Sequence, residues 1–204
     1  YGSGNGQFKY SRSVAVAMDG TVYAVDGYNH RVEVFASDGS YLGQWGSNGT
    51  GEGQFSYPIG IAVSPTGDVY VADTGNHRIQ QFTGGGTFLR QWGSLGTGDG
   101  QFNYPRGLVM DATGSELYVV DGYNNRIQVF DPTGTYQRQW GSYGKADGQL
   151  NYPFGIALDA SGDVYVVDTG NHRVQVFSNI GAYQRQWGAY GTADGQFKQP
   201  FGVA

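Results

Sequence analysis

The stretch DVYVADTGNHRIQQF, residues 68–82, decides the fold of this chain, because its elements return at a fixed beat. Its Asp73 recurs as Asp26, Asp121 and Asp168, at spacings of 47, 48 and 47 residues. A Gln-Trp-Gly tripeptide follows the same rhythm at Trp45, Trp92, Trp140 and Trp187. Gly-Gln-Phe begins at Gly6, Gly53, Gly100 and Gly195, with Gly-Gln-Leu at Gly148. A period of this length marks a solenoid, a propeller or an array. It also implies that most apparent motifs are architecture, since a residue needed once for chemistry is not normally made four times.

Working outward from that stretch, residues 57–67 (YPIGIAVSPTG) hold a short apolar run closed by a Ser-Pro-Thr-Gly turn. Residues 68–76 and 77–82 form two further strand-like runs parted by Asp-Thr-Gly-Asn. Residues 87–93 (TFLRQWG) form a fourth, followed by the glycine-rich SLGTGDGQF at 94–102. Four short runs punctuated by Gly, Pro, Asn and Asp predict a meander of antiparallel strands. No window carries the 3.6-residue period of an amphipathic helix. The first two runs are apolar throughout, as in strands covered on both faces, whereas the fourth alternates. A sheet dry near one edge and wet at the other reads as a propeller blade with its first strand at the axis.

Composition agrees with such an array. The 204 residues include 36 glycines, 15% aromatic and only 14% charged residues, which fits neither a disordered segment nor a helical bundle. No apolar run is long enough for a membrane-spanning helix. The chain opens on Tyr1 rather than Met, which reads as a mature or trimmed product from which a targeting segment could have been lost. Cysteine is absent, which removes disulfides, thiolate metal sites and cysteine nucleophiles. The net charge is −5 and the only lysines are Lys9, Lys145 and Lys198, so no basic footprint for nucleic acid exists and none is expected as a partner.

The sequence Pro58-x-Gly60-Ile61-Ala62-Val63, then residues 68–82, then Arg90-Gln91-Trp92-Gly93, resembles the NHL repeat of β-propeller proteins. The resemblance covers the whole chain as a single array: repeats at about 1–47, 48–94, 95–142 and 143–189, and the start of a fifth at 190–204. It implies an all-β propeller of four-stranded antiparallel blades. Because propellers of this family usually have six blades, it further implies a portion of a longer array, or closure and stacking through neighbouring copies. The first repeat departs in having Ser11 and Ser13 where the others have Pro and Gly, and the third has Asn125 where its sisters have His.

Candidate chemistry is weighed against that repetition. The only histidines, His30, His77 and His172, share one slot after Asn, and equivalent slots on successive blades are too far apart for one metal ion with ~2 Å bonds. Asp26, Asp73, Asp121 and Asp168 each precede an Arg by five residues, which across a hairpin predicts a charge-assisted pair rather than catalysis. The glycine-rich connections lack a P-loop ending, and Glu52, Asp99, Asp147 and Asp194 supply one carboxylate per loop, too few for calcium. No hydrolase or zincin motif is present. The resemblance reaches enzymes, notably a zinc-dependent lyase, but these use non-repeated histidines that this chain lacks. No catalytic residue, metal or cofactor is therefore expected.

The expected binding residues lie where the rhythm breaks. The slot between the Pro and Gly that open the first strand holds Arg12, Ile59, Arg106, Phe154 and Phe201, a swap from which a scaffold would gain nothing structural. Beside it stand Tyr10, Tyr57, Tyr104 and Tyr152. Tyr28 and Tyr123 occur only in repeats one and three, where the turn reads Asp-Gly-Tyr-Asn instead of Asp-Thr-Gly-Asn. Propeller topology collects these on one loop face, with the tyrosine and arginine content of a recognition surface. The expectation is a non-enzymatic scaffold, extracellular or periplasmic, that binds a protein, peptide or glycan through Arg12, Arg106, Phe154, Tyr28, Tyr123, Tyr57, Tyr104 and Tyr152. Two other readings stand beside it: self-assembly into a homo-oligomer, fibre or surface layer through open blade edges, and a metal-dependent lyase-like enzyme.

Overall fold

The computed structural model describes all 204 residues and contains sixteen strands in four four-stranded sheets, with no α-helix. The chain divides into two compact units, residues 1–105 and 106–204. The first unit holds the sheet of β1 (Ser11–Val16), β2 (Val22–Asp26), β3 (Arg31–Phe35) and β4 (Tyr41–Trp45). It also holds the sheet of β5 (Ile61–Val63), β6 (Val69–Asp73), β7 (Arg78–Phe82) and β8 (Phe88–Trp92). The second unit repeats this with β9 (Pro105–Met110), which opens at the boundary, β10 (Leu117–Asp121), β11 (Arg126–Phe130) and β12 (Tyr136–Trp140). Its other sheet is β13 (Ile156–Leu158), β14 (Val164–Asp168), β15 (Arg173–Phe177) and β16 (Tyr183–Trp187). In every sheet the strands pair in chain order and antiparallel, which is the meander that the turn punctuation predicts.

Alternation within the strands gives each sheet two packing faces. In the first unit, Tyr23, Val25, Val32 and Val34 on one face of the first sheet meet Phe55, Ile61, Val69, Val71 and Phe82 on the opposite face of the second. Trp45 lies tilted on Phe82, with ring centroids 4.4 Å apart. The second unit builds the same contact from Tyr118, Val120, Ile127 and Val129 against Leu150, Ile156, Val164, Val166 and Phe177. Each such aliphatic or aromatic side chain contributes about 1.5–3 kcal/mol on burial. The fourth strands leave Leu42 and Leu89 exposed and keep only their alternate residues against the core, as expected for a wet outer edge.

The Asp–Arg pairs close the hairpin between the second and third strands of each sheet. Asp73 and Arg78 face one another across the β6–β7 pair, and Arg78 Nε donates to Asp73 Oδ2 at 2.7 Å. Arg78 Nη1 donates to Thr50 O and Gln91 Oε1, and Nη2 donates to Gly51 O and Gln54 O. All five guanidinium donors are thus used on the preceding loop, the strand hairpin and the fourth strand. Asp73 Oδ1 accepts Ser56 N at 2.7 Å, while Oδ2 also accepts Asn76 Nδ2 and Gln80 Nε2. Asp26–Arg31, Asp121–Arg126 and Asp168–Arg173 form the same pair at 2.9, 2.8 and 2.7 Å.

One sheet breaks the set in a way the sequence reading did not single out. Where Gln80 and Gln175 donate to the hub aspartate and accept a loop N–H, the first sheet places Glu33, fully buried. An ionised carboxylate cannot donate to Asp26. Arg31 Nη2 lies 2.6 Å from Glu33 Oε1, yet the hydrogens of that nitrogen go to Gly4 O and Gln7 O, leaving charge attraction without a hydrogen bond. Burial pushes the Glu33 carboxyl above its ordinary value of 4.5, against the pull of Arg31.

Two outcomes follow for stability. Asp73→Ala leaves a buried guanidinium unpaired and is expected to cost about 3–5 kcal/mol in denaturant titrations. Glu33 binds its proton more tightly folded than unfolded, so its ionisation lowers stability as pH rises above 4.5 towards the folded value. Glu33→Gln is expected to raise stability at neutral pH and to abolish that decline; equal stability of the two proteins at neutral pH would contradict this assignment.

Candidate functional site

The tyrosines that precede the first strand of each sheet are held in an unusual backbone. Tyr10, Tyr57, Tyr104 and Tyr152 have φ of 55°, 47°, 53° and 56°, in the left-handed region that a bulky side chain rarely enters. Each costs on the order of 1 kcal/mol, which the surroundings must offset. For three of them the offset is visible. Tyr57 N donates to His30 Nδ1 at 3.1 Å, Tyr104 N to His77 Nδ1 at 3.1 Å, and Tyr152 N to Asn125 Oδ1 at 2.8 Å. Gln199 N uses His172 Nδ1 in the same way. The histidines are therefore straps that hold the next repeat's entry residue, and Asn125 replaces His because its carbonyl oxygen accepts the same bond. Burial lowers the His30 pKa below 6.5, which keeps Nδ1 an acceptor.

These straps leave the rings projecting. Tyr10, Tyr57, Tyr104 and Tyr152 are 60, 50, 41 and 38% exposed. In the first unit, Tyr28 lies tilted against Tyr10 at 4.6 Å and meets Tyr57 edge-on at 5.3 Å, while His30 meets Tyr57 at 4.9 Å. Arg12 is exposed, with its guanidinium carbon 5.9 Å from the Tyr10 and Tyr28 ring centroids. In the second unit Tyr123 lies tilted against Tyr152 at 4.6 Å, and Arg106 lies 4.2, 5.1 and 5.3 Å from Tyr152, Phe154 and Tyr123. Phe154 continues edge-on to Phe201 at 5.1 Å. Each close cation–ring contact is worth about 0.5–2 kcal/mol. The structure thus brings Arg12, Tyr28 and Tyr57 together in one unit and Arg106, Tyr123, Tyr152 and Phe154 in the other. Tyr104 stands against His77 at 4.6 Å.

The two broken rhythms prove to be one. Thr74 Oγ1 donates to Pro105 O at 2.7 Å, and Thr169 Oγ1 to Pro200 O at 2.8 Å. The third repeat has no such threonine, and there Arg106 Nη1 donates to the equivalent Pro153 O at 3.3 Å. The expectation that a scaffold gains nothing from this arginine is therefore corrected. Arg106 is buried and satisfies a carbonyl that threonine satisfies elsewhere, in company with the Gly-Tyr turn that leaves room for it. No carboxylate faces it, and burial pulls its guanidinium below the ordinary range, offset in part by Tyr152 and Tyr123. Arg12 remains exposed, without such a bond.

No group of three or more His, Asp or Glu side chains is placed to hold a metal. Four meandering sheets, packed face to face in pairs within each unit and built on one repeat, define an all-β repeat protein of blade architecture. The NHL repeat matches at residues 55–82, 102–130 and 150–177, and the chain belongs to the NHL-repeat family. Comparison with curated protein sequences returns no match. Solved structures are similar in fold. A chain of a nidogen/laminin complex is 23% identical with a TM-score of 0.69, aligning 89% of this chain with 64% of that one. An inactive virginiamycin B lyase from Staphylococcus aureus with quinupristin is 18% identical with a TM-score of 0.72, aligning 99% with 61%. Hydrazine synthase of Kuenenia stuttgartiensis is 15% identical with a TM-score of 0.66, aligning 91% with 52%. The chain therefore spans between about half and two-thirds of the length of these structures.

The His30 strap makes a pH-dependent contribution. Because the folded pKa of His30 is depressed, its strap is fully present above 6.5 and is lost as pH falls through the folded value. His30→Ala is expected to cost about 1 kcal/mol at pH ~8. His30→Asn, which borrows the third repeat's residue, is expected to keep the stability and flatten its fall on acidification. Thermal unfolding between about pH 5 and 8 separates the two.

Proposed function

We propose that this protein is a non-enzymatic binding scaffold that recognises a protein, peptide or glycan through its tyrosine- and arginine-bearing loops. The carrying observation is the left-handed backbone at Tyr10, Tyr57, Tyr104 and Tyr152, which holds half-exposed rings in place at an energetic cost. Strain of this kind concentrates at ligand sites. Pre-set aromatic rings also give large contact area with little entropy to lose on binding. Arg12 with Tyr28 and Tyr57 forms the more accessible cluster, whereas Arg106 with Tyr123, Tyr152 and Phe154 forms a firmer one in which the charge has no partner carboxylate. Tyr104 adds a further exposed ring. An extended ligand with acidic or hydroxyl groups suits both. The nidogen/laminin likeness supports a protein partner, and the extracellular or periplasmic setting is part of the same proposal, taken from the family resemblance.

A second reading, self-assembly, is favoured by one observation. Val14 and Val16 of the first sheet and Met18 in the turn after β1 are 60, 62 and 87% exposed, although Ile61, the counterpart of Val14 in the second sheet, is packed. Light scattering across a concentration series distinguishes a clean monomer from a growing assembly.

The binding reading is tested with arrays of immobilised peptides and glycans, followed by titration of any ligand found. Arg12→Ala and Tyr28→Ser are each expected to weaken binding at least about fivefold with unchanged melting temperature. Arg106→Ala is less informative because it also strips Pro153 O of its donor. A ligand indifferent to both Arg12 and Tyr28 would remove the loop face from consideration.

A further inference from the structure

A second, different site lies between the first two sheets, on the side of their fourth strands. Its template is the third sheet. There Arg138 pairs with Glu116 at 2.5 and 2.7 Å, sits 5.7 Å from the Tyr118 ring centroid and donates to the Tyr118 hydroxyl at 3.2 Å. Its Nε and Nη2 also donate to Asn179 O, in the β15–β16 hairpin of the neighbouring sheet, at 3.1 and 2.7 Å. The fourth sheet repeats the core of this seat: Arg185 lies 5.7 Å from the Tyr165 ring centroid and donates to its hydroxyl at 2.9 Å. A tyrosine ring, its hydroxyl and a hairpin carbonyl thus form a guanidinium seat.

In the first sheet the seat persists and its occupant is gone. Tyr23 stands where Tyr118 does, and Gly84 O, in the β7–β8 hairpin, stands where Asn179 O does. Gly43 replaces the arginine and Thr21 replaces the glutamate. Both partners of the ion pair are lost together, so no unpaired charge is left behind. A Cβ built on Gly43 meets nothing within 4 Å. The result is a groove of about 370 Å³ whose lining includes Tyr23, Val34, Leu42, Trp45 and Gly84.

The groove is equipped to accept hydrogen bonds from a cation. With no acid at position 21, the Tyr23 hydroxyl turns to donate to Gly84 O at 3.1 Å, which leaves its own lone pairs without a donor. Gly84 is needed for that approach, since a Cβ there would lie 2.8 Å from the hydroxyl. An adjoining cavity of about 430 Å³ shares Tyr23 and Gly84 and carries Asp19 on its lining, and neither cavity is lined by a Lys, Arg or His. Val34 and Leu42 offer apolar surface for an alkyl stem.

We propose that this groove binds an arginine side chain of a partner polypeptide, seated over Tyr23 as Arg138 is seated over Tyr118. The partner supplies in trans the residue that the third and fourth sheets carry themselves. The site shares no residue with the tyrosine-arginine loops and stands independently of their role.

The test uses the full chain and an N-acetylated, C-amidated glycine pentapeptide with arginine at its centre, compared with its citrulline counterpart. In 1H–15N NMR titrations the arginine peptide is expected to shift the Gly84 and Gly85 amides and the Trp45 indole. The neutral, isosteric citrulline peptide is expected to bind at least about fivefold more weakly. Thr21→Glu combined with Gly43→Arg rebuilds the third sheet's pair and is expected to abolish these shifts. Gly43→Arg alone, at an open position, serves the same purpose if the double variant does not fold. Equal binding of arginine and citrulline peptides, shifts that persist when Gly43→Arg fills the groove, or no shift at millimolar peptide would each overturn the proposal.

Discussion

The rest of the structure depends on a carboxylate and a guanidinium buried together at the second-to-third-strand hairpin of every sheet. Taking two charges out of water is costly, and the pair is tolerable only when every donor and acceptor is used. Asp73 and Arg78 meet that condition: five guanidinium donors reach five oxygens, and both carboxylate oxygens accept additional bonds from backbone or side-chain nitrogen. The same bonds clamp the glycine-rich connection against the sheet it precedes, so that a loop with little side-chain mass acquires one conformation. Glu33 shows the tolerance of the arrangement. It brings a second acid into the centre of the first sheet, where burial favours its protonated form.

From that clamp the site follows by short steps. The hairpin ends in a left-handed His or Asn whose side-chain acceptor holds the left-handed tyrosine of the following repeat. Rigid sheets thus present aromatic rings from loops that would otherwise be mobile. Glu33 apart, the repeats vary at positions that the hub does not use. Threonine or arginine can satisfy the proline carbonyl, and an arginine–acid pair on the outer strand can be present or absent. Each exchange leaves the framework intact and changes what the surface offers to a ligand.

Much of this was legible in the chain. Sixteen strands, their meander order and the Asp–Arg pairing follow from a repeat whose punctuation and alternation are local properties. The positions of Arg12, Arg106, Tyr28 and Tyr123 as departures from the repeat were legible too. Their relation was not: Arg106 lies on a first strand and Tyr123 in a turn, and only the pairing of β9 with β10 brings the two within 5.3 Å. The role of the histidines was likewise hidden, because the bond from Tyr57 N to His30 spans 27 residues. Glu33, Thr21 and Gly43 carried a signal that comparison among the repeats contains, as an acid replacing glutamine and a lost arginine–acid pair.

The sequence by itself determined the class of structure, since a 47-residue beat of short apolar runs and glycine turns has few ways to bury its surface. It also determined which residues serve every repeat and which serve only some. Tertiary structure alone decided what the exceptions mean: that Arg106 bonds a carbonyl of the next repeat, that the tyrosines are held strained and half-exposed, and that a groove opens above Tyr23. The reason is physical. Strand formation depends on neighbours along the chain, whereas burial, strain and empty volume depend on side chains that packing brings together from tens of residues apart.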